Sequence, residues 1–216
     1  MIRHHPAEEL LCEYAAGCLS EAAALTIATH ASLCPACAAV IAAFEAIGGA
    51  LLEAETPAEV DAAALNALFA AADRAPSDPP PPTAFDAETL AAIPSPLRAY
   101  LSASLGRLTW RRIGPWLDEA RLVVSSPAVK ASLMRVRPGT VLPRHSHRGL
   151  EYTLVLAGGF ADHGVAYGRG DFALGDASSE HHPVVDDDGC LCLVVLDAPV
   201  RLLGPFGRLL NPFLRL

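Results

Sequence analysis

The sequence lacks an apolar stretch that looks long enough to cross a membrane, and it lacks the features of a signal peptide. The most apolar run extends from Ala38 to Leu52. Glu45 interrupts this run, which is also shorter than the roughly 20 residues that a membrane helix needs. The N-terminus is acidic within its first residues and has no apolar core of the signal-peptide type. We therefore expect a cytoplasmic protein that does not contact membranes.

Positive charge is nearly missing from the first third of the chain. Through Asp73, ten residues are acidic and only Arg3 is basic, so this segment carries a charge of −9. The whole chain carries −8, so the remainder is close to neutral. An acidic segment of this kind repels nucleic acid and favours a basic protein partner, although a solvated acidic surface has the same composition. We expect no direct binding to nucleic acid.

A run of four prolines, Pro79–Pro82, divides the chain into two parts of different character. Consecutive prolines favour an extended, semi-rigid spacer. The pattern before them is helical, and most of the pattern after Leu108 is typical of strands. We predict a helical domain over residues 1–73, a proline-rich linker over 74–84 and a second domain over 85–216.

The first part is predicted to be an all-α domain of four helices. The expected helices are Pro6–Ala16, Ser20–Ala31, Cys34–Glu53 and Pro57–Asp73. The apolar residues on one face of the fourth helix are Val60, Leu65, Leu68 and Phe69. Four helices in so few residues enclose a very small core, so we expect a metal or another cross-link to stabilise them.

The second part is predicted to be an antiparallel β barrel or jelly roll. One short helix is expected at Ala87–Ala92, followed by a turn at Pro94–Pro96. The strand candidates are short, rich in Val and Leu, and separated by Gly, Pro and Asp. They are Leu108–Arg112, Ala131–Val136, Tyr152–Leu156, Phe160–Ala161, Val165–Tyr167, Cys190–Leu196 and Arg201–Leu203.

A histidine and two cysteines near position 30 have the spacing of zinc ligands. His30 and Cys34 lie four residues apart, so their side chains point the same way at a helix end, and Cys37 follows two residues later. His5, at the start of the first helix, is the natural fourth ligand, with His4 as the alternative. Two histidines and two cysteines form a closed tetrahedral set, which favours a structural zinc that joins the helices.

Two other interpretations of these cysteines are open. Cys34 and Cys37 could be a redox pair of the thioredoxin type, although no βαβ pattern surrounds them and such chemistry does not require His30. They could also be inert buried thiols. Cys12 and Cys18 are expected to be core residues, since cysteine is among the most buried residue types.

A second set of candidate ligands lies in the barrel. His145 and His147 are two residues apart and face the same side of a strand, and Glu151 has the same parity. A third imidazole is expected from the segment His181–Pro183. Three imidazoles and one carboxylate leave coordination positions open, as in Fe(II) sites, and zinc, manganese and nickel also fit. His163 lies in a turn and is not expected to be a ligand.

Cys190 and Cys192 share one face of a later strand. We expect a buried apolar pair, with the alternative that the two thiols line the barrel near the metal and can be oxidised.

These motifs resemble known families. The spacing of His5, His30, Cys34 and Cys37 is similar to that of the zinc-binding anti-sigma domain of bacterial extracytoplasmic-function sigma regulators. That resemblance implies a four-helix domain that binds a sigma factor and blocks its access to core RNA polymerase. The fourth helix of the family wedges between two sigma domains, so the apolar face described above would be the contact surface, unless it packs only in its own core.

The segment Gly139–Gly158 resembles the first cupin motif throughout: glycine, five residues, His-x-His, three residues, glutamate, six residues, glycine. The second motif is degenerate, and the resemblance favours His181 over His182 as the remaining ligand. An anti-sigma domain, a proline linker and a cupin together resemble the ChrR-type anti-sigma family, which implies a response to singlet oxygen or organic peroxide.

The resulting hypothesis is a regulator that sequesters a sigma factor and releases it when an oxidant acts at the cupin centre. The alternatives are a cupin metalloenzyme of the dioxygenase type with an accessory helical domain, and a structural pair of metal modules in a larger assembly.

Overall fold

Four helices precede the proline-rich segment, as expected. The computed structural model describes residues 1–74 and 83–203. The first four helices are α1 (Glu8–Ala15), α2 (Glu21–Ala31), α3 (Pro35–Ala54) and α4 (Ala62–Arg74). The expectation that α4 begins at Pro57 was wrong, because the helix begins at Ala62 and Val60 precedes it. Residues 75–82 of the predicted linker lie outside the described part of the chain.

Local signals explain where these helices begin. The Ser20 hydroxyl accepts a hydrogen bond from the Ala23 amide, so it caps α2. Pro35 occupies the first turn of α3, where its missing N–H costs nothing. The glycines at 48 and 49 weaken α3 intrinsically but do not interrupt it, and the helix runs on to Ala54.

Short helices also follow the linker. They are α5 (Ala87–Ala92) and α6 (Ser95–Arg98), followed by a 3-10 turn at Leu105–Arg107. The segment expected as a turn at Pro94–Pro96 therefore begins a helix. α6 packs against α2, and Leu97 is fully buried, so this region joins the two predicted domains.

The rest of the chain forms two antiparallel sheets that close into the predicted jelly-roll barrel. The larger sheet has seven strands in the order β1-β2-β3-β9-β5-β6, with β7 also paired to β5, and the smaller sheet has the order β10-β4-β8. The strands are β1 (Arg111–Ile113), β2 (Leu117–Leu122), β3 (Lys130–Val136), β4 (His145–His147), β5 (Glu151–Asp162), β6 (Val165–Gly168), β7 (Phe172–Gly175), β8 (Glu180–His181), β9 (Val184–Leu196) and β10 (Val200–Leu202).

The two longest strands, β5 and β9, are buried on both faces over part of their length, Tyr152–Leu156 in β5 and Cys190–Leu196 in β9. Leu191 and Leu193 of β9 belong to a core that also contains helical residues, whereas Cys190 and Cys192 belong to the interior of the barrel. Alternate side chains of a strand point to opposite faces, so one strand contributes to two cores. This is why the sequence from Cys190 to Leu196 is continuously apolar and does not alternate.

The helices and the large sheet share one hydrophobic core. α2 packs against β5 and β9, and Ile27 of α2 lies in the same cluster of buried side chains as Leu133 and Leu154 of the barrel. All three side chains are fully buried. The helical part is thus fixed on the outer face of the barrel.

The second half of α3 and all of α4 lie outside this core. No residue of α4 is buried, and the buried residues of α3 are Cys37 and Ile41 in its first two turns. α3 has 20 residues and contains an 18-residue window with a mean hydropathy of 1.8, so by length and composition it could cross a membrane. The expectation that the sequence lacks an apolar stretch of this length was therefore wrong. Such a window is weak evidence for a span, since other apolar helices share these properties.

The remaining differences from the sequence-based expectations have local causes. Tyr152–Leu156 and Phe160–Ala161 belong to the single strand β5, which passes through two irregularities in its pairing with β9. The strands β2, β7 and β8 were not predicted. Cys12 and Cys18 are exposed, so their assignment to the core was wrong.

Candidate metal centres

The first candidate site brings together the four predicted ligands of the helical part. His5, His30, Cys34 and Cys37 offer ligand atoms that all lie within 4.8 Å of one another. His5 Nδ1 lies 3.4 Å from the sulfur of each cysteine, and His30 Nε2 lies 3.3 Å from Cys37 Sγ. We call these four residues the sulfur quartet. Except for His5 they are buried.

These separations fit a tetrahedral ion. Zn–N bonds of about 2.0–2.1 Å and Zn–S bonds of about 2.3 Å place neighbouring nitrogen and sulfur ligands roughly 3.6 Å apart. Burial, together with the neighbouring Cys34, raises the pKa of Cys37 to about 12, so this thiol keeps its proton unless a cation takes its place. Burial lowers the pKa of His30 and keeps its ring neutral, which is the form that binds metal.

The barrel positions His30. Its Nδ1 lies 2.8 Å from the carbonyl oxygen of Gly170, in the turn between β6 and β7. A carbonyl can only accept, so Nδ1 carries the proton and Nε2 is free to face Cys37. Gly170 has φ 90°, and a Cβ built there would lie 2.6 Å from the Ile2 side chain, so the turn requires glycine.

His4, the alternative ligand, is held away from the sulfur quartet. Its ring lies 4.4 Å from that of Tyr167, and its Nε2 lies 3.1 Å from the carbonyl oxygen of Ala166. Its backbone carbonyl accepts from the Phe172 amide at 3.0 Å, and its amide donates to Asp171 at 2.9 Å. His4 therefore fixes the N-terminal segment on the barrel, and His5 faces the cysteines.

The second candidate site brings together the predicted ligands of the barrel. His145, His147, Glu151 and His181 offer ligand atoms within 4.8 Å of one another, and we call them the imidazole quartet. β4 supplies the first two, β5 begins at Glu151, and β8 pairs His181 directly with His145. His147 Nε2 lies 2.8 Å from His181 Nε2, and His147 Nδ1 lies 3.5 Å from a carboxylate oxygen of Glu151.

Two histidines of this quartet have their outer nitrogens held by neighbouring oxygens. His145 Nδ1 lies 2.8 Å from the Pro143 carbonyl, and His181 Nδ1 lies 3.3 Å from Asp162. Partners of this kind orient metal-binding imidazoles and fix which nitrogen faces the ion. The sequence analysis did not identify Asp162, which lies in β5 without a recognisable motif.

The electrostatics of the imidazole quartet favour a bound cation. Burial, followed by repulsion from His181, lowers the pKa of both His145 and His147 to about 4, so their rings are neutral. Burial raises the pKa of Glu151 to about 7. Within residues 1–74 and 83–203, His147 Nδ1 is the buried side-chain nitrogen or oxygen without a hydrogen-bond partner. A divalent cation would use the lone pairs and stabilise the carboxylate.

The other histidines of the barrel lie outside the quartet. His163 is exposed, and its Nε2 lies 2.8 Å from the Glu180 carbonyl. His182 is exposed, and its amide donates to Asp162 at 3.4 Å. The structure therefore groups His181, and not His182, with the residues of the first cupin motif.

A cavity of about 660 Å³ opens beside the imidazole quartet. Its walls are mostly apolar, and its polar side chains include those of His145, Glu151 and His181. Cys190 and Cys192 also line it, with their sulfur atoms 3.1 Å apart, and both are buried. The contact with Cys190, followed by burial, raises the pKa of Cys192.

The predicted partner surface consists of exposed apolar side chains, unlike the two ligand groups. Val60, Leu65, Leu68 and Phe69 have exposed fractions of 74%, 48%, 63% and 58%. They do not pack in a core of the described residues. Ile47, Leu51 and Leu52 of α3 are also exposed, which the sequence analysis did not anticipate because these residues look like a helix core.

Comparisons with known proteins agree with the two motifs. Residues 101–199 match the family described as the ChrR cupin-like domain. Over 216 residues, 100% of this chain and 99% of the relative, the protein is 39% identical to the anti-sigma-E factor ChrR of Cereibacter sphaeroides. It is also similar to a crystal structure of Rhodobacter sphaeroides SigE in complex with the anti-sigma ChrR, with a TM-score of 0.76 and 37% identity over 91% of this chain and 100% of the matched chain.

Replacing single histidines of the barrel should show which of them bind the metal and which only lie nearby. We expect His147→Ala to lose the metal of the imidazole quartet, because it removes a buried ligand nitrogen and leaves a gap beside Glu151. His163→Ala, which lines the same cavity, should keep the metal. Elemental analysis of metal-loaded, desalted proteins measures this, and equal metal content in the two variants would contradict the assignment.

Proposed function

Because the chain belongs to the ChrR family of anti-sigma factors, as its motifs predicted, we propose that it binds an extracytoplasmic-function sigma factor and keeps it from core RNA polymerase. The protein is a regulator and not an enzyme. The observation that carries the proposal is the apolar surface of α3 and α4, which a soluble helical domain exposes only where a partner covers it.

The chemistry of this surface suits a sigma factor. Its largest exposed side chains are those of Leu51, Leu52, Leu68 and Phe69, so a partner would bury apolar area. The surrounding segment carries −9 through Asp73. Sigma surfaces that meet DNA are basic, and an acidic protein attracts them at long range and competes with nucleic acid.

We propose that the ion of the sulfur quartet is a structural zinc. Two thiolates and two imidazoles leave no open coordination position, which suits a structural role. The ion would connect the segment before α1, the end of α2 and the start of α3. It would thus fix the direction in which α3 leaves the core and presents its exposed half.

We further propose that the imidazole quartet holds a divalent metal, with Zn, Fe, Mn or Ni as candidates, and that the barrel senses oxidative stress. A metal held by three imidazoles and one carboxylate supplies an open, reactive coordination position next to the cavity. Release of the sigma factor requires only a modest loss of affinity, since about 1.4 kcal/mol changes it tenfold.

A cytoplasmic location completes the proposal, because core RNA polymerase and sigma factors act there. On this view the apolar α3 serves protein contact and not membrane insertion.

The zinc proposal is tested by replacing single cysteines. Cys37→Ser should abolish zinc binding and sigma binding, because it removes a buried ligand on which the orientation of α3 depends. Cys18→Ser is the matched control, since Cys18 is exposed and outside the sulfur quartet, and it should keep both properties. Zinc analysis and a pull-down with the cognate sigma factor measure the outcome. A Cys37→Ser protein that still retains the sigma factor would contradict the proposal.

The partner surface is tested on α4. Phe69→Ala should weaken sigma binding by roughly 1–4 kcal/mol, or about 5- to 1,000-fold, as for a central aromatic contact. Thermal stability should stay unchanged because Phe69 is exposed. Val123→Ala, on the exposed surface of the other part of the chain, is the control. Calorimetric titration with the sigma factor measures the affinity of each variant. Equal affinities for Phe69→Ala and Val123→Ala would place the interface elsewhere.

The role of the barrel is tested by separating inhibition from response. A protein with His145→Ala and Glu151→Ala should still inhibit its sigma factor, because both changes lie away from α3 and α4 and leave all four ligands of the sulfur quartet in place. It should no longer release the sigma factor when cells meet singlet oxygen or an organic peroxide. A sigma-dependent reporter gene measures both states. Full induction by these oxidants in the double variant would count against sensing at this centre.

A further inference from the structure

β7 is a short strand that has a candidate metal centre at each end. At its last residue, Gly175 pairs with Glu151, and a Cβ built on Gly175 would lie 2.9 Å from His147 Nε2. Any side chain at this position would enter the imidazole quartet. The strand end is therefore in contact with two of the four ligands and must move if they rearrange.

At the other end, the turn before β7 holds the sulfur quartet from two directions. The Gly170 carbonyl accepts from His30 at 2.8 Å. The Asp171 carboxylate accepts from the amides of Arg3 at 2.6 Å and His4 at 2.9 Å, directly before the ligand His5. Both histidine ligands of the sulfur quartet thus depend on two consecutive residues of the barrel.

Asp171 is suited to transmit a displacement. It is 2% exposed, so its charge depends on its hydrogen bonds, and its second oxygen accepts from the Gly168 amide at 2.9 Å. The Phe172 amide adds a bond to the His4 carbonyl at 3.0 Å. Hydrogen bonds weaken steeply when their angle is bent, so a shift of the turn would weaken its hold on the N-terminal segment.

The strand between the two ends is stiff. β7 pairs with β5 from Leu154↔Phe172 to Glu151↔Gly175, and β5 is itself paired with β9. The path from residue 170 to residue 175 spans about 17 Å of extended chain. A hydrogen-bonded strand of this length moves as a unit, so displacement at one end reaches the other.

We propose that Asp171 and β7 couple the two metal centres, so that an ion in the imidazole quartet strengthens metal binding in the sulfur quartet. Asp171 acts as a positioning residue for His5, and the Gly170 carbonyl does the same for His30. The inference rests on the proposed function only in treating both quartets as metal sites. Coupling of this kind is reciprocal, so an ion in the sulfur quartet strengthens binding in the imidazole quartet equally.

The test uses Co²⁺ as the probe in the full-length chain. Thiolate-to-metal absorption reports on the sulfur quartet, because the imidazole quartet has no sulfur ligand. The affinity of the sulfur quartet is measured in four proteins: the parent, His145→Ala, Asp171→Asn and the double variant. His145→Ala disables the barrel centre, and Asp171→Asn removes the charge while nearly keeping the shape of the side chain.

If the centres are coupled, His145→Ala weakens Co²⁺ binding at the sulfur quartet about fivefold or more, the lower end of typical coupling between sites. Asp171→Asn weakens it too, and adding His145→Ala to Asp171→Asn then has a smaller effect than in the parent, because only the contact through Gly170 remains. If Asp171 has only a structural role, His145→Ala weakens Co²⁺ binding by the same factor in the parent and in Asp171→Asn. The affinity losses of the two single variants then multiply in the double variant. That result, or no effect of His145→Ala, overturns the proposal.

Asp187→Asn is the matched control, since this exposed aspartate of β9 lies in the same barrel and should change nothing. A second measurement does not need the Asp171 variant to fold. With metal bound at the sulfur quartet, amide exchange at residues 3 and 4 should be faster in His145→Ala than in the parent, and equal exchange overturns the coupling. Absence of thiolate absorption in the parent would instead contradict the proposed zinc site itself.

Discussion

The hydrogen bond from the His30 ring to the Gly170 carbonyl is the contact on which the arrangement of the two parts depends. His30 is completely buried, and its ring cannot face the cysteines unless its other nitrogen has a partner. That partner is a backbone atom of the barrel. The barrel therefore supplies one of the contacts that orient the sulfur quartet, although the two parts have separate sequence motifs.

The shared core explains why this contact is so well defined. Leu25 and Ile27 of α2 pack in the same cluster as Leu154 and Leu193 of the large sheet, so the helix that carries His30 is fixed on the barrel. The Arg169 guanidinium holds the turn between β6 and β7 to α5 and β5. It donates hydrogen bonds to the carbonyls of Ala91, Ala92 and Leu156. Around the turn between β6 and β7 the helices and the barrel thus form one unit, and the second half of α3 and α4 lie outside its core.

The sequence located the candidate ligand groups better than it predicted the packing. Candidate ligands at a fixed spacing, such as Cys34 and Cys37, can be recognised in the sequence, because metal geometry requires particular residue types at particular intervals. The positioning groups cannot: Asp171 is an ordinary acidic residue, and Gly170 contributes a carbonyl that every residue has. The first residues of β9 include three consecutive aspartates and a glycine, which are rare in strands, so β9 was predicted shorter than it is. An exposed helix such as α4 has the same apolar pattern as a buried one, and only the fold distinguishes them.

The exposed apolar side chains of α3 and α4 limit the concentration at which this protein can exist without a partner. A copy that finds no partner presents Leu51, Leu52 and Phe69 to water, and such surfaces self-associate and attract chaperones and proteases. Its concentration is thereby limited by the supply of whatever covers those helices. Synthesis of the two proteins in matched amounts, and rapid removal of any excess, would follow from the surface alone.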